Sequence, residues 1–434
     1  MSVASGEAPE PRSAAGLDFS QVQQNAIEDE RAYVTIQPVS GAGNFTAAGN
    51  NTVTIPLPKD QRYLDMRASS LTATISLTAN NATNPALSAI GASSCLRRVA
   101  LRVVGGGEIL RVDFYNRVLA QLHKFYADQW LQTAGRKFGK GSLTQRQSDA
   151  AVSGGLLMEF DLQAFGIVTG VHYVPLWLAD LEWELELEQD TQALVSQSLT
   201  QGGTPASYTL SNIIMNCELV RANPAFDAAI RNQVAAGVPV SLPVELYRYI
   251  PATFDSVGGR GISIQRNISV YVQQFLSYMC YWTLTSAYNS STIDQFDSFA
   301  DPALKDYQVQ IGSRYYPRQP IDCQKGNGQA LIGLHVAAFK RQDPIGALVD
   351  GDNYDLLRGD GSEFQLVQAL GQARDAHLGA GVNTKNPSAN SIVLLNQLSS
   401  SSNPAAPEAT FRMNQIAHYA GVIQFALGSA ALAD

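Results

Sequence analysis

The sequence predicts an all-β protein made of two antiparallel β-sandwiches in tandem, with short inserted helices. Three observations lead there. Short runs of alternating apolar and polar residues recur between Gly, Pro and Asn turn signals. The order of elements before residue 223 is repeated after residue 237. A chain of 434 residues also has room for two sandwiches of about 200 residues each.

Residues 1–30 read as a flexible arm, with a short helix expected over 17–30. The arm holds Glu7, Glu10, Asp18, Glu28, Asp29 and Glu30 against a single Arg12. The first sandwich is assigned to residues 31–222. "YVTIQPV" and "NTVTIPLP" are short strands bounded by Pro and Gly. "SLTATISLT" alternates cleanly: Leu71, Ala73, Ile75 and Leu77 face one way and the hydroxyl residues the other. "RRVALRVVGGGEILRVDF" reads as two strands closed by Gly105, Gly106 and Gly107. "YNRVLAQLHKFYADQWL" is the clearest helix, with its stripe on Val118, Leu119, Leu122, Phe125, Tyr126 and Trp130. Residues 134–155 read as a long polar loop. "LLMEFDL", "LADLEWELELEQD" and "YTLSNIIMNCELV" are further strands.

Residues 223–237 read as a connecting helix, with Asn223 as cap, Pro224 in the first turn and Gly237 as terminator. The second sandwich is assigned to 238–434. Its strands include "VPVSLPVELYRYIP", "DYQVQIGSRYYP", "NSIVLLNQL" and "ATFRMNQIAHYAGVIQFAL". "SEFQLVQALGQARDA" reads as its amphipathic helix, on Phe364, Val367 and Leu370.

The chemistry-bearing candidates are few. Asp180, Glu182, Glu184, Glu186 and Glu188 fall at every second position, with Leu181, Trp183, Leu185 and Leu187 between them. In a strand the acids line one face about 7 Å apart. That spacing would admit an inverting glycosidase pair, which wants about 6.5–9.5 Å. An acid/base pair also needs two different environments, and this row offers none nearby in sequence. The expectation is a solvated strand face. His123, His172, His335, His377 and His418 show no metal-binding spacing. Cys95, Cys217, Cys280 and Cys323 are isolated and read as reduced structural thiols. "DGDNYDLLRGDGSE" departs from the calcium-loop template at Tyr354 and reads as a surface loop. It contains Arg358, Gly359 and Asp360, a tripeptide that binds integrins in some viruses. No catalytic, cofactor-binding or metal residue is assigned, and no enzyme activity is expected.

Charged residues are 16 % of the chain, against about 25 % in ordinary soluble domains. So charge-poor a surface suits one covered by neighbours. The net charge of −8 gives no basis for neutralising phosphates. No secretory signal and no membrane-spanning run are read in the sequence.

Five segments carry a resemblance. "NTVTIPLPKDQRYLDMRASSLTATISL", "SSCLRRVALRVVGGGEILRVDFYNRVLAQL", "YVPLWLADLEWELELE", "YTLSNIIMNCELV" and "YQVQIGSRYYPRQPI" resemble successive segments of the double jelly-roll major capsid proteins of polinton-like viruses, virophages and related double-stranded DNA viruses. The likeness spans roughly residues 45–320. It implies that each sandwich is an eight-stranded jelly roll. It further implies homotrimeric, pseudo-hexagonal capsomers tiling an icosahedral shell around double-stranded DNA. The implied partners are other copies of the chain, penton and minor capsid proteins and an internal membrane, with no direct sequence-specific nucleic-acid binding. The implied location is the virion. Two alternatives stay open at this point. A carbohydrate-binding or carbohydrate-active sandwich would use the acidic strand with Trp130, Tyr315 or Tyr316. A small RNA-virus coat protein would carry a basic arm instead of an acidic one.

Overall fold

The computed structural model describes residues 28–41, 43–78, 85–123, 133–169, 173–196, 206–255, 263–268, 270–285, 293–297, 299, 304–322, 365–370, 382–385, 392–398 and 410–433. In the first half the strands are β1 (Glu28–Ile36), β2 (Thr52–Pro56), β3 (Tyr63–Thr78), β4 (Pro85–Leu87), β5 (Leu96–Val103), β6 (Glu108–Asp113), β7 (Leu156–Glu159), β8 (Tyr173–Pro175), β9 (Leu181–Leu187), β10 (Leu194–Ser196) and β11 (Ser207–Ala222). In the second they are β12 (Val240–Asp255), β13 (Ser263–Ile268), β14 (Gln274–Leu284), β15 (Leu304–Ile311), β16 (Arg314–Asp322), β17 (Gln365–Ala369), β18 (Ile392–Leu398), β19 (Thr410–Ala426) and β20 (Ser429–Ala433).

The pairing settles the architecture. One sheet of the first half runs β1-β11-β3-β7, with β8 continuing beside β3, and the other runs β2-β9-β5-β6. The second half runs β12-β19-β14-β17 and β13-β18-β15-β16. Counting β7 and β8 as one interrupted strand, the same eight-strand order occurs twice. Every pair is antiparallel. First strand beside last, third beside last, and second beside second-to-last is the jelly-roll winding. The repetition that only element order suggested is therefore a repetition of topology.

Local chemistry explains the elements. In β3, Leu71, Ala73 and Ile75 are buried while Thr72, Thr74 and Ser76 are less so, as period-2 alternation requires. The β5–β6 hairpin turns on Gly105, whose φ of +71° suits a residue without a Cβ. Between the halves lies a helix, Pro224–Ala235. The Asn223 side chain accepts from the Ala225 N–H at 3.0 Å, and Gly237 closes it at φ +79°.

Several expectations need correcting. Helix α1 (Tyr115–His123) is buried on every side, including Asn116, Arg117 and Gln121, so it is a core helix and not a striped surface one. The rest of that predicted helix, with Phe125, Tyr126 and Trp130, lies outside the described residues. The stretch read as a loop over 134–155 contains a 3-10 turn, Ala134–Phe138, and helix α2 (Leu143–Ala150). Helix α2 has a reciprocal capping box between Ser142 and Gln145, a signal present in "SLTQ". Within "SEFQLVQALGQARDA", expected as a helix, Gln365–Ala369 form strand β17 instead, and residues 362–364 and 371–376 lie outside the described residues. Gln365, Leu366, Val367 and Gln368 are all buried, so both faces are covered and no period-2 pattern survives. The three-residue spacing of Phe364, Val367 and Leu370 then imitates a helix. Finally, β1 begins at Glu28, inside the stretch assigned to the arm.

The main core spans both halves. It joins Leu64, Leu101, Leu119, Trp183 and Leu219 to Val244, Tyr247, Tyr281 and Ile416. A second cluster, around Phe275, Trp282, Val309 and Phe411, fills the second sandwich. The β19–β20 hairpin lays Ala430 and Leu432 against the main core, and the Gly428 N–H donates to the Leu178 carbonyl.

Candidate functional site

The acidic strand is the place to look first. Leu181, Trp183, Leu185 and Leu187 are buried, as alternation demands. The acids opposite them form the expected solvated face only in part: Asp180 is exposed and Glu182 and Glu186 are half-buried. Glu184 is only 8 % exposed and Glu188 6 %. Strand β9 lies between β2 and β5, and β5 brings arginines to the acids. In register, Arg98 faces Glu186, Ala100 faces Glu184 and Arg102 faces Glu182. The small Ala100 leaves Glu184 open to both diagonal neighbours. Arg98 donates to one of its oxygens and Arg102 to the other. Glu186 takes Arg97 at 3.0 Å and lies 3.4 Å from Arg98. Glu188 turns inward and accepts from the Asn116 side chain of α1 at 2.9 Å. Asp180 meets Lys59 at the exposed end.

Glu184 and Glu186, paired with arginines, are neutralised and have lone pairs already committed. The row is a cross-strand clamp between β9 and β5. The signal was in the sequence: Arg98 and Arg102 in "RRVALR" are themselves an outward-facing set on a strand. No partner stands nearby in sequence because the partner lies on another strand, brought alongside by the β5–β9 pairing.

The remaining candidates are scattered. Cys95, Cys217 and Cys280 are buried free thiols, and burial pushes each one up, Cys217 to about 12. Cys323, His172, His335, His377, the Arg358-Gly359-Asp360 tripeptide and Trp130 lie outside the described residues. Tyr315 is exposed and Tyr316 packs at the edge of the second core. His418 is buried, with Nε2 3.0 Å from Glu245 and Nδ1 3.1 Å from Ser277, and its ring stacks on Tyr247. Among the described residues no group of three or more His, Cys, Asp or Glu is placed to hold a metal, and no helix is long and apolar enough to cross a membrane.

The best-built polar cluster joins the two halves, and sequence reading missed it. Arg117 of α1 donates to Gln192 and Gln295, and its guanidinium lies 4.7 Å from the Phe296 ring. Gln121 donates to Gln365 of β17. Arg146 of α2 reaches Asp294 at 3.1 Å, and Asp294 also accepts from the Ala89 N–H at 2.8 Å and from Ser88. Burial pushes the Asp294 carboxyl up, against the pull of Arg146. These contacts are spread over about two hundred residues of chain, as with Ser88 and Asp294. Nothing in local sequence pairs them. Their geometry is that of a seam, with polar groups of the two halves facing each other across it.

No protein-family model and no curated protein matches the sequence. Solved structures do match, at low identity. The capsid of the virus PBCV-1 aligns with a TM-score of 0.59 and 9 % identity, over 95 % of this chain and 98 % of that one. The Sputnik virophage structure gives 0.56 and 10 %, over 94 % and 89 %. The Faustovirus major capsid protein gives 0.55 and 11 %, over 93 % and 92 %. The likeness thus runs through nearly the whole length of each chain, and with the doubled strand order it establishes that this protein has the double jelly-roll fold of viral major capsid proteins.

Proposed function

We propose that the chain is a major capsid protein, a structural subunit that assembles with copies of itself into the shell of a virion. The observation that carries this reading is the second complete copy of the eight-strand winding in one chain. Two similar bodies per subunit let three subunits present six near-equivalent corners, which closes a pseudo-hexagonal tile. We extend the proposal to homotrimers tiling an icosahedral shell around double-stranded DNA, with penton and minor capsid proteins and an internal membrane as further partners. The division into residues 31–222 and 238–434, joined through 223–237, is part of the same proposal. The arginine-clamped acids and the polar seam between the halves support a load-carrying role over a catalytic one. The glycan-binding alternative loses much of its support, because Glu184 and Glu186 of its acidic row already hold arginines.

Light scattering on the purified full-length chain tests this. The expected mass is about 140 kDa, three times 46.7 kDa. A stable monomer that binds or hydrolyses glycans would overturn the reading.

A further inference from the structure

Beside the seam, one pair of side chains has no role in the capsid reading. Lys140 and Asp161 are both 0 % exposed, and Nζ lies 2.5 Å from Oδ2. The surroundings hold them there without slack. Gly139 has φ +73°, and a Cβ on it would fall 2.6 Å from the Met158 sulfur. A Cβ on Gly91 would fall 2.0 Å from the Phe138 carbonyl oxygen. The Asp161 backbone is fixed at both ends: its N–H donates to Ser93 Oγ at 2.8 Å, and its carbonyl accepts from the Tyr115 hydroxyl at 2.9 Å. The Phe138 ring lies 5.5 Å from the Lys140 nitrogen.

The two carboxylate oxygens are in different situations. Oδ2 faces the amine, while Oδ1 accepts from the Gln163 backbone N–H at 3.1 Å. A fixed N–H on one oxygen polarises Cγ and would hold the negative charge that builds there if the amine attacked. Burial also lowers the Lys140 pKa, against the pull of Asp161, which favours a neutral, nucleophilic amine.

We propose that Lys140 and Asp161 condense into an intramolecular isopeptide bond in the folded protein. The ammonium passes a proton to the carboxylate across their hydrogen bond. The amine lone pair then attacks Cγ, and a tetrahedral centre forms with its oxyanion on the Gln163 N–H. Oδ2 takes a second proton from nitrogen and departs as water. The Nζ–Cγ bond forms and the Cγ–Oδ2 bond breaks. An ammonium and a carboxylate become an amide and one water, with no oxidant or activating group needed. Enforced contact replaces a bimolecular encounter. The product removes two buried charges, which a dry site disfavours. The crosslink would close the segment from Lys140 to Asp161, which carries α2 and β7.

The proposal is independent of the capsid reading, and the wild-type protein alone tests it. Intact mass spectrometry on the full-length chain should give a mass one water below that of the sequence. A protease digest should yield a branched peptide joining Lys140 to Asp161. The Lys140→Met variant should regain the missing water and lose the branched peptide. A wild-type mass without the deficit, or separate linear peptides bearing Lys140 and Asp161, overturns the proposal, whether or not the variant folds.

Discussion

Gly166 is pressed against the backbone of Glu245: a Cβ built on Gly166 would lie 1.5 Å from the Glu245 carbonyl oxygen. The two residues belong to opposite halves, at the short helix Gly166–Thr169 and strand β12. Only a residue without a side chain lets those backbones meet.

Gly166→Ala should therefore separate the halves locally. Backbone atoms on both sides cannot yield as a flexible side chain would. The expected loss is about 3 kcal/mol of unfolding free energy, the upper end of ordinary overpacking. Urea denaturation of the variant checks it, and an unchanged midpoint would contradict the contact.

Glu184→Ala should leave Arg98 and Arg102 without their shared acceptor. Both arginines retain some access to water, at 20 % and 34 % side-chain exposure. Solvent then softens the loss, to about 2 kcal/mol. Asp180→Ala removes only an open pair with Lys59, with side-chain exposures of 49 % and 78 %, and should cost about 0.5 kcal/mol or less. Comparing the two variants by thermal denaturation tests whether the clamp differs from an ordinary surface pair.

The buried thiols predict an alkaline limit. Burial raises Cys95, Cys217 and Cys280 above their ordinary 9.0, Cys217 to about 12. Above pH 9 the unfolded chain releases these protons while the folded chain keeps them. The folded state then binds more protons, so stability falls as pH rises. For Cys217 the loss runs from about pH 9 to about pH 12, at about 1.4 kcal/mol per pH unit. Denaturation midpoints across that window measure the slope. In the folded protein at pH 8 these three cysteines should also resist a thiol-specific reagent until denaturant is added.

Asn223→Ala should remove the N-cap of the helix between the halves. The expected cost is about 1 kcal/mol, and Asn223→Ser should restore most of it. Chemical denaturation of both variants distinguishes a capping effect from a general disturbance of the linker.

What was legible in the sequence depended on how far apart the deciding residues lie. Strands that cover a core on one side, such as Leu71–Leu77, announce themselves by alternation. The helix at Pro224 announces itself by its cap and terminator. Strand β17 did not, because burial on both faces erased its period and left a helix-like spacing. The acids of β9 were found but misjudged, since Arg98 and Arg102 sit some eighty residues away and reach them only through sheet pairing. The seam through Arg117, Gln192 and Gln295 was invisible for the same reason, with polar residues scattered along the chain and joined only by the fold. The jelly-roll winding came through resemblance and was then matched by the strand order.

The continuous core has a mechanical consequence. Val244, Tyr247 and Tyr281 belong to the same packed cluster as Trp183 and Leu219, so the two rolls share their interior. A hinge between them would have to tear that interior open. Such a subunit behaves as a brick rather than a jaw, and calorimetry should show it melting in one event. If the chain assembles as proposed above, any curvature of a wall laid from these bricks has to arise at the joints between them.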